Sequence, residues 1–249
     1  MSQVKERPIL FSAPMVRAIL EGRKTVTRRA LNARALRDIG YGVQLGECHE
    51  LPADGALHPN SIGYYASFCP FGFPGDRLWV RETFALLGNE DGVCIDWYDK
   101  IIKGNEREAA RIYRASCTIG DYGLWQIPEK ADWKPDTEEI QYEGSWRPSI
   151  HMPRWASRIL LEITDVRVER LQEGDGETAF ESRYLAEGIH RIHHGDGEHY
   201  YHPLKNEPGT GNWTDPFDAW RELWVSINGA ESWNANPWVW VVEFKRVTP

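Results

Sequence analysis

Seven consecutive residues, Arg23-Lys24-Thr25-Val26-Thr27-Arg28-Arg29, carry one amine, two hydroxyls and three guanidiniums. Those groups suffice for nucleophilic attack on a carbonyl. A free lysine is a weak base at neutral pH because its pKa is about 10.4. Burial and nearby positive charge both disfavour the ammonium form, and Arg23, Arg28 and Arg29 can supply the charge. A lysine so perturbed takes the proton of a threonine hydroxyl and makes it a nucleophile. Lys24 and Thr27 would face opposite ways on a flat strand, so this chemistry requires irregular backbone between them. The same residues also read as a solvated basic face beside strand-forming threonines. Residue types alone leave both readings open.

A helix-to-strand corner must position these groups. Met15, Val16, Ile19 and Leu20 recur at helical spacing and predict a short helix over Pro14–Glu21. Gly22 fits the residue after a helix C-terminus, where a left-handed conformation costs least. Val26–Ala30 then begins a strand. Corners of this kind present side chains to solvent or to a ligand rather than to a core.

Ile19-Leu20-Glu21-Gly22-Arg23-Lys24-Thr25-Val26-Thr27 resembles the signature of ASCH domains, a branch of the PUA-like superfamily. It is similar above all to the small bacterial N4-acetylcytidine amidohydrolases, which carry I-L-A-G-R-K-T-I-T. Pro74-Gly75-Asp76-Arg77-Leu78-Trp79-Val80 resembles the G-D-x-L turn and strand of that fold, and Val241-Val242-Glu243-Phe244-Lys245 its closing V-I-E-F-K strand. The match covers about a hundred scattered residues. The rest resembles the insertions of longer, often phage-borne ASCH proteins.

The resemblance implies an α+β fold: a PUA-like mixed β-barrel with a few flanking helices and long loop insertions. It implies one domain over 1–249 with insertions at about 31–73, 86–148 and 190–213. It also implies roles. Lys24 is the base and Thr27 the nucleophile; in this chain Arg23, Thr25, Arg28 and Arg29 are the candidate substrate contacts. In the amidohydrolases a Glu follows the long middle strand, and the matching place is Leu185-Ala186-Glu187-Gly188. Glu187 is therefore the expected carboxylate that holds the lysine and protonates the leaving amine, with Glu177 and Glu181 as rivals on the same segment. Backbone amides at the corner, or Arg23, would stabilise the oxyanion. No metal or cofactor is called for. Arg28 stands where the small enzymes have an aliphatic residue, which puts acetylcytidine itself in question as the substrate. ASCH and PUA-like domains also include plain RNA binders, so a non-catalytic reader of RNA or modified bases is the alternative. A reader tolerates Thr27→Ala and loses affinity steeply with salt.

Composition bounds these readings. The chain has 249 residues, 41% of them hydrophobic, enough for a real core. The formal net charge of -8 disfavours a grip on a long stretch of phosphate backbone, while allowing a nucleoside or a short RNA element at a local basic site. The four cysteines lie far apart without a Cys-x-x-Cys, which together with the N-terminal sequence points to reduced thiols in a cytoplasmic protein. No apolar run approaches the roughly 20 residues that span a bilayer.

Elsewhere the patterning predicts strands at Pro8–Ser12, Arg77–Phe84, Ala110–Ser116, Ser157–Arg170 and Trp238–Val247. Helices are expected at Ala179–Ala186 and from Asp215-Pro216 to about Ile227. In the long middle strand the apolar set changes face between Ile163 and Val166, the mark of a bulge or bend. Residues 31–73 read as irregular and 190–213 as a His- and Gly-rich loop. Twelve Trp and ten Tyr suit stacking on bases; Tyr64, Tyr65, Trp125, Trp133 and Trp146 are the loop candidates. Trp220, Trp224, Trp238 and Trp240 read as core. Cys48-His49 with His58 and Cys69, and the histidines between 190 and 202, are the nearest approaches to metal patterns.

Overall fold

The computed structural model describes residues 4–53, 55–89, 92–118, 121–122, 146–173 and 181–248. Its strands are β1 (Glu6–Leu10), β2 (Val26–Ala30), β3 (Arg77–Arg81), β4 (Phe84–Leu86), β5 (Arg111–Tyr113), β6 (Cys117–Thr118), β7 (Asp121–Tyr122), β8 (Leu160–Arg170), β9 (His190–His193), β10 (His199–His202) and β11 (Trp238–Val247). Its α-helices are α1 (Ala13–Leu20), α2 (Ala33–Gln44), α3 (Ile62–Ala66), α4 (Glu181–Leu185), α5 (Pro216–Asn228) and α6 (Ala230–Asn234). The fold is α+β. Trp125, Trp133 and Glu177 lie outside the described residues. No helix among the described residues is long and apolar enough to cross a membrane.

The chain divides into two compact units. The first holds Met1–Arg7, Ala18–Leu78 and Leu161–Val247. It carries β2, β11 and Leu161–Arg170 of β8; the strand order of their sheet is β1-β3-β8-β11-β2, with β2 at one end. β11 pairs antiparallel with β2, setting Val242 opposite Thr27 and Val241 opposite Arg28. β11 can sit inside a sheet because Trp238 through Val242 are all buried, the near-continuous apolar run of a strand covered on both faces. Helix α5 begins where Asp215 accepts a hydrogen bond from the Phe217 N–H, with Pro216 in the first turn. Its buried face is Ala219, Trp220, Leu223 and Trp224, so the tryptophans expected in the core are there. The second unit holds Pro8–Arg17, Trp79–Leu160 and Thr248–Pro249. It buries Phe84, Tyr113, Met152 and Ala156 together. Arg158 there donates to both oxygens of the buried Glu82 at 2.9 and 3.0 Å.

Three expectations need correction. Residues 31–73 are not wholly irregular, since α2 occupies twelve of them. Its buried positions are Ala35, Ile39 and Gly42, at proper helical spacing, but two of the three are too small to register as apolar. Gly42 is small for a reason: a Cβ there would sit 2.5 Å from the Tyr64 ring. Residues 190–213 contain a hairpin, with β9 and β10 pairing Ile192 against Tyr200 and Arg191 against Tyr201. Gly195 and Gly197, at φ 89° and 90°, form its turn. Tyr65 is fully buried, and its hydroxyl donates to the His49 carbonyl at 2.6 Å, so it is a core residue and not a stacking platform.

Asn32 caps α2 by accepting from the Ala35 N–H at 2.9 Å. Asn32→Ala is expected to cost about 1 kcal/mol in urea unfolding, and Asn32→Asp only a few tenths. Equal losses in the two variants would remove the cap as the cause.

Candidate functional site

The corner after α1 is closed by the backbone. Gly22, at φ 76°, donates to Ile19 O at 3.1 Å. The N–H groups of Arg23 and Lys24 both donate to Ala18 O, at 2.9 and 3.0 Å. The chain then meets the segment that follows α4. Lys24 forms an antiparallel bridge with Glu187, and Thr25 and Val26 donate to Ala186 O at 2.9 and 3.1 Å. From the far side, Phe244 N donates to Thr25 O at 2.9 Å. Gly188 permits the close approach. Its φ is 97°, and a Cβ there would stand 2.9 Å from the Ala18 Cβ and 3.3 Å from the Lys24 Cβ.

This backbone arrangement buries an alternating line of charges. The side chains of Lys24 and Glu187 are 0% and 2% exposed. Lys24 Nζ donates to Glu187 Oε2 at 2.7 Å and to the Glu187 carbonyl at 2.9 Å. Glu187 Oε1 accepts from Arg28 Nη1 at 2.8 Å. Arg28 Nε donates to Glu169 Oε1 at 2.8 Å. Glu169 pairs in turn with Arg183, and with Arg167 at 3.5 Å. Arg167 reaches on to Asp165 and Glu243.

Burial is the largest influence on Lys24 and pushes its pKa below 10.5. Glu187 opposes that shift, and the charges of Arg29 and Arg28 add to it. Burial opposes the charge on Arg28 as well, but Glu187 and Glu169 outweigh it and raise its pKa. Glu169 is likewise desolvated, yet Arg28 and Arg183 hold it below the usual carboxylate value. Two cavities share Thr25 and Ala186, the chain neighbours of Lys24 and Glu187, in their walls. One of about 400 Å³ is lined by Thr25, Val26, Arg28, Arg167, Glu169, Arg183, Ala186 and Glu243. The other, about 530 Å³, includes Gly22, Arg23, Thr25, Ala186, His190 and Arg191 in its wall.

Lys24, Glu187 and Arg28 are thus brought together, with Arg29 within electrostatic range of both Lys24 and Glu187. Thr27 is 2% exposed within β2. Thr25 is exposed and lines both cavities. Arg23 donates to the Gly188 carbonyl and pairs with Glu21. Glu181 opens α4. Glu169 and Arg183 escaped the sequence reading. The signal for Glu169 was present: Asp165, Arg167 and Glu169 alternate with Val166 and Val168, which marks a polar stripe along one face of the second half of β8. Among the described residues no group of three or more His, Cys, Asp or Glu is placed to hold a metal. His49 and His58 instead stack at 3.7 Å. Compared with family models, with curated proteins and with solved structures, the chain matches none.

Two outcomes are expected. Gly188→Ala should destabilise the fold by about 1–3 kcal/mol, because the added methyl meets Ala18 and forces a left-handed backbone on alanine; unchanged urea stability would refute the close packing. The second concerns pH. A lysine whose folded-state pKa lies below its unfolded value of 10.5 binds fewer protons folded than unfolded between those two values. Stability therefore rises with pH across that interval. The stability of the wild type relative to Lys24→Met should increase from the lowered pKa up to 10.5. A difference that stays flat would mean that Lys24 titrates normally.

Proposed function

We propose that this chain is an ASCH-type amidohydrolase, with that family's mixed barrel, which removes an acyl group from the exocyclic amine of a modified nucleoside such as N4-acetylcytidine. The observation that carries the reading is the buried pair. The carboxylate nominated by its place after the long middle strand, Glu187, meets the lysine of the corner motif at 2.7 Å.

In this reading neutral Lys24 takes the proton of the Thr27 hydroxyl, and the Thr27 oxygen attacks the acyl carbonyl. The proton taken from Thr27 then moves from Lys24 through Glu187 to the exocyclic nitrogen as its bond to the acyl carbon breaks, which leaves Lys24 neutral again. Water then adds to the acyl-threonine ester and releases the acid and free Thr27. The second cation on Glu187 supports the first step. Arg28 remains hydrogen-bonded to Glu187, so Lys24 can give up its proton without leaving a buried carboxylate unpaired, which would be costly. The lowered pKa of Lys24 acts in the same direction.

Purified protein should release acetate and cytidine from N4-acetylcytidine. Lys24→Ala and Thr27→Ala should each lower kcat by about a hundredfold or more. Turnover that survives in Thr27→Ala would remove the threonine as nucleophile. No turnover at high enzyme concentration would sink this substrate and favour a non-catalytic reader of RNA or modified bases.

A further inference from the structure

The wall of the smaller cavity includes an arginine with one buried donor nitrogen that the protein does not use. The Arg28 side chain is 1% exposed. Its Nε is bound to Glu169 and its Nη1 to Glu187, and its carbon centre lies 5.6 Å from the Trp220 ring centroid. Its Nη2 is buried and has no hydrogen-bond partner among the described residues. Buried guanidinium nitrogens are ordinarily satisfied, and one left unpaired is costly. Arg28 lines the cavity of about 400 Å³ together with Arg167, Arg183, Glu169 and Glu243.

That lining selects a kind of ligand. Nε and Nη2 of a guanidinium donate along one edge of its rigid fork. Nε is already on Glu169 Oε1, so an acceptor that meets Nη2 arrives beside a carboxylate. Ionised carboxylates only accept. A simple anion would face Glu169 and Glu243, and a simple cation would face three arginines. A neutral group with an acceptor next to an N–H satisfies both kinds of wall.

We propose that this cavity is a recognition subsite for a heterocycle with an amidine-type edge, in which a ring-nitrogen acceptor lies beside an exocyclic N–H. The N3–C4–N4 edge of cytosine is the example, a choice that rests on the nucleoside reading above. N3 accepts from Arg28 Nη2, and the N4 hydrogen is donated to Glu169 or Glu243. The acylated base keeps this edge because N4 retains one hydrogen. Arg28 also binds the carboxylate that holds Lys24, so a base seated on Nη2 lies one carboxylate away from the lysine.

Calorimetric binding of cytidine and uridine tests the subsite without turnover, since neither carries an acyl group. Uridine reverses the edge, with N–H at position 3 and a carbonyl at position 4. The wild type should bind cytidine about tenfold more tightly than uridine, and Arg28→Leu should abolish that preference. Arg28→Leu also takes a charge from a buried network, so Glu243→Gln, at a side chain 37% exposed, provides a second variant; it should narrow the preference to about threefold or less. Equal affinities in the wild type, no cytidine binding, or a preference that both variants keep would overturn the subsite. Hydrolysis of N4-acetylcytidine by a protein that binds cytidine and uridine alike would reject the subsite and keep the hydrolase. Arg28-dependent cytidine binding without hydrolysis would do the reverse.

Discussion

A single carboxylate, that of Glu187, receives a cation on each of its oxygens: Lys24 on one and Arg28 on the other. A charge taken this far from water is tolerated only when it is paired and hydrogen-bonded. Two cations on one carboxylate over-satisfy that demand, and the excess positive charge has to be balanced further out. Glu169 balances it at Arg28, and Arg183 and Arg167 then balance Glu169. The line runs from the corner after α1, through β2, to β8 and α4. Removing Glu187 would take a partner from both Lys24 and Arg28, and removing Glu169 one from both Arg28 and Arg183, so the line is held together by mutual need rather than by the net strength of any one pair.

The segment that carries this carboxylate also finishes the end of the sheet. β2 is last in the strand order, and a strand in that place presents unpaired backbone groups. Here Ala186 O takes the N–H groups of Thr25 and Val26, and the bridge from Lys24 to Glu187 continues the contact. The side-chain pair and the backbone bridge join the same two residues. Gly188 lets the segments approach closely enough for both, at the cost of a left-handed residue whose missing Cβ makes the room. Packing, backbone pairing and charge pairing therefore act at one point.

The ends of the chain were legible because their signals are local. The first five residues of β11, Trp238–Val242, are an unbroken apolar run, and α5 announces itself by an Asp-Pro start. Gly22 marked the corner through its conformational freedom alone. Helix α2 was hidden because two of its three inward residues, Ala35 and Gly42, are small, and the smallness of Gly42 answers to Tyr64 and not to anything near it in sequence. The hairpin at 190–202 was hidden because its strands alternate histidines with only one buried apolar residue each, Ile192 and Tyr201. Lys24 and Glu187 could be nominated by motif and by position. Their junction with Glu169 and Arg183 could not, because the Arg28–Glu169 contact spans 141 residues and nothing in local spacing encodes a partner at that distance.

Burial both lowers the pKa of Lys24 and hides it, and these effects pull against each other in any chemistry on an external ligand. The placement of Thr25 and Ala186 eases the conflict. Both residues line both cavities, and they are joined by the Thr25 N–H to Ala186 O bond. Lys24 precedes one of them in the chain and Glu187 follows the other, so the charged pair lies one residue behind the wall that two open cavities share. A base fitted beside Arg28 would fill one cavity and exclude its water. The pair would then stay desolvated while a ligand occupies the space beside it. A low local dielectric keeps the ammonium disfavoured at the moment when a neutral amine is wanted.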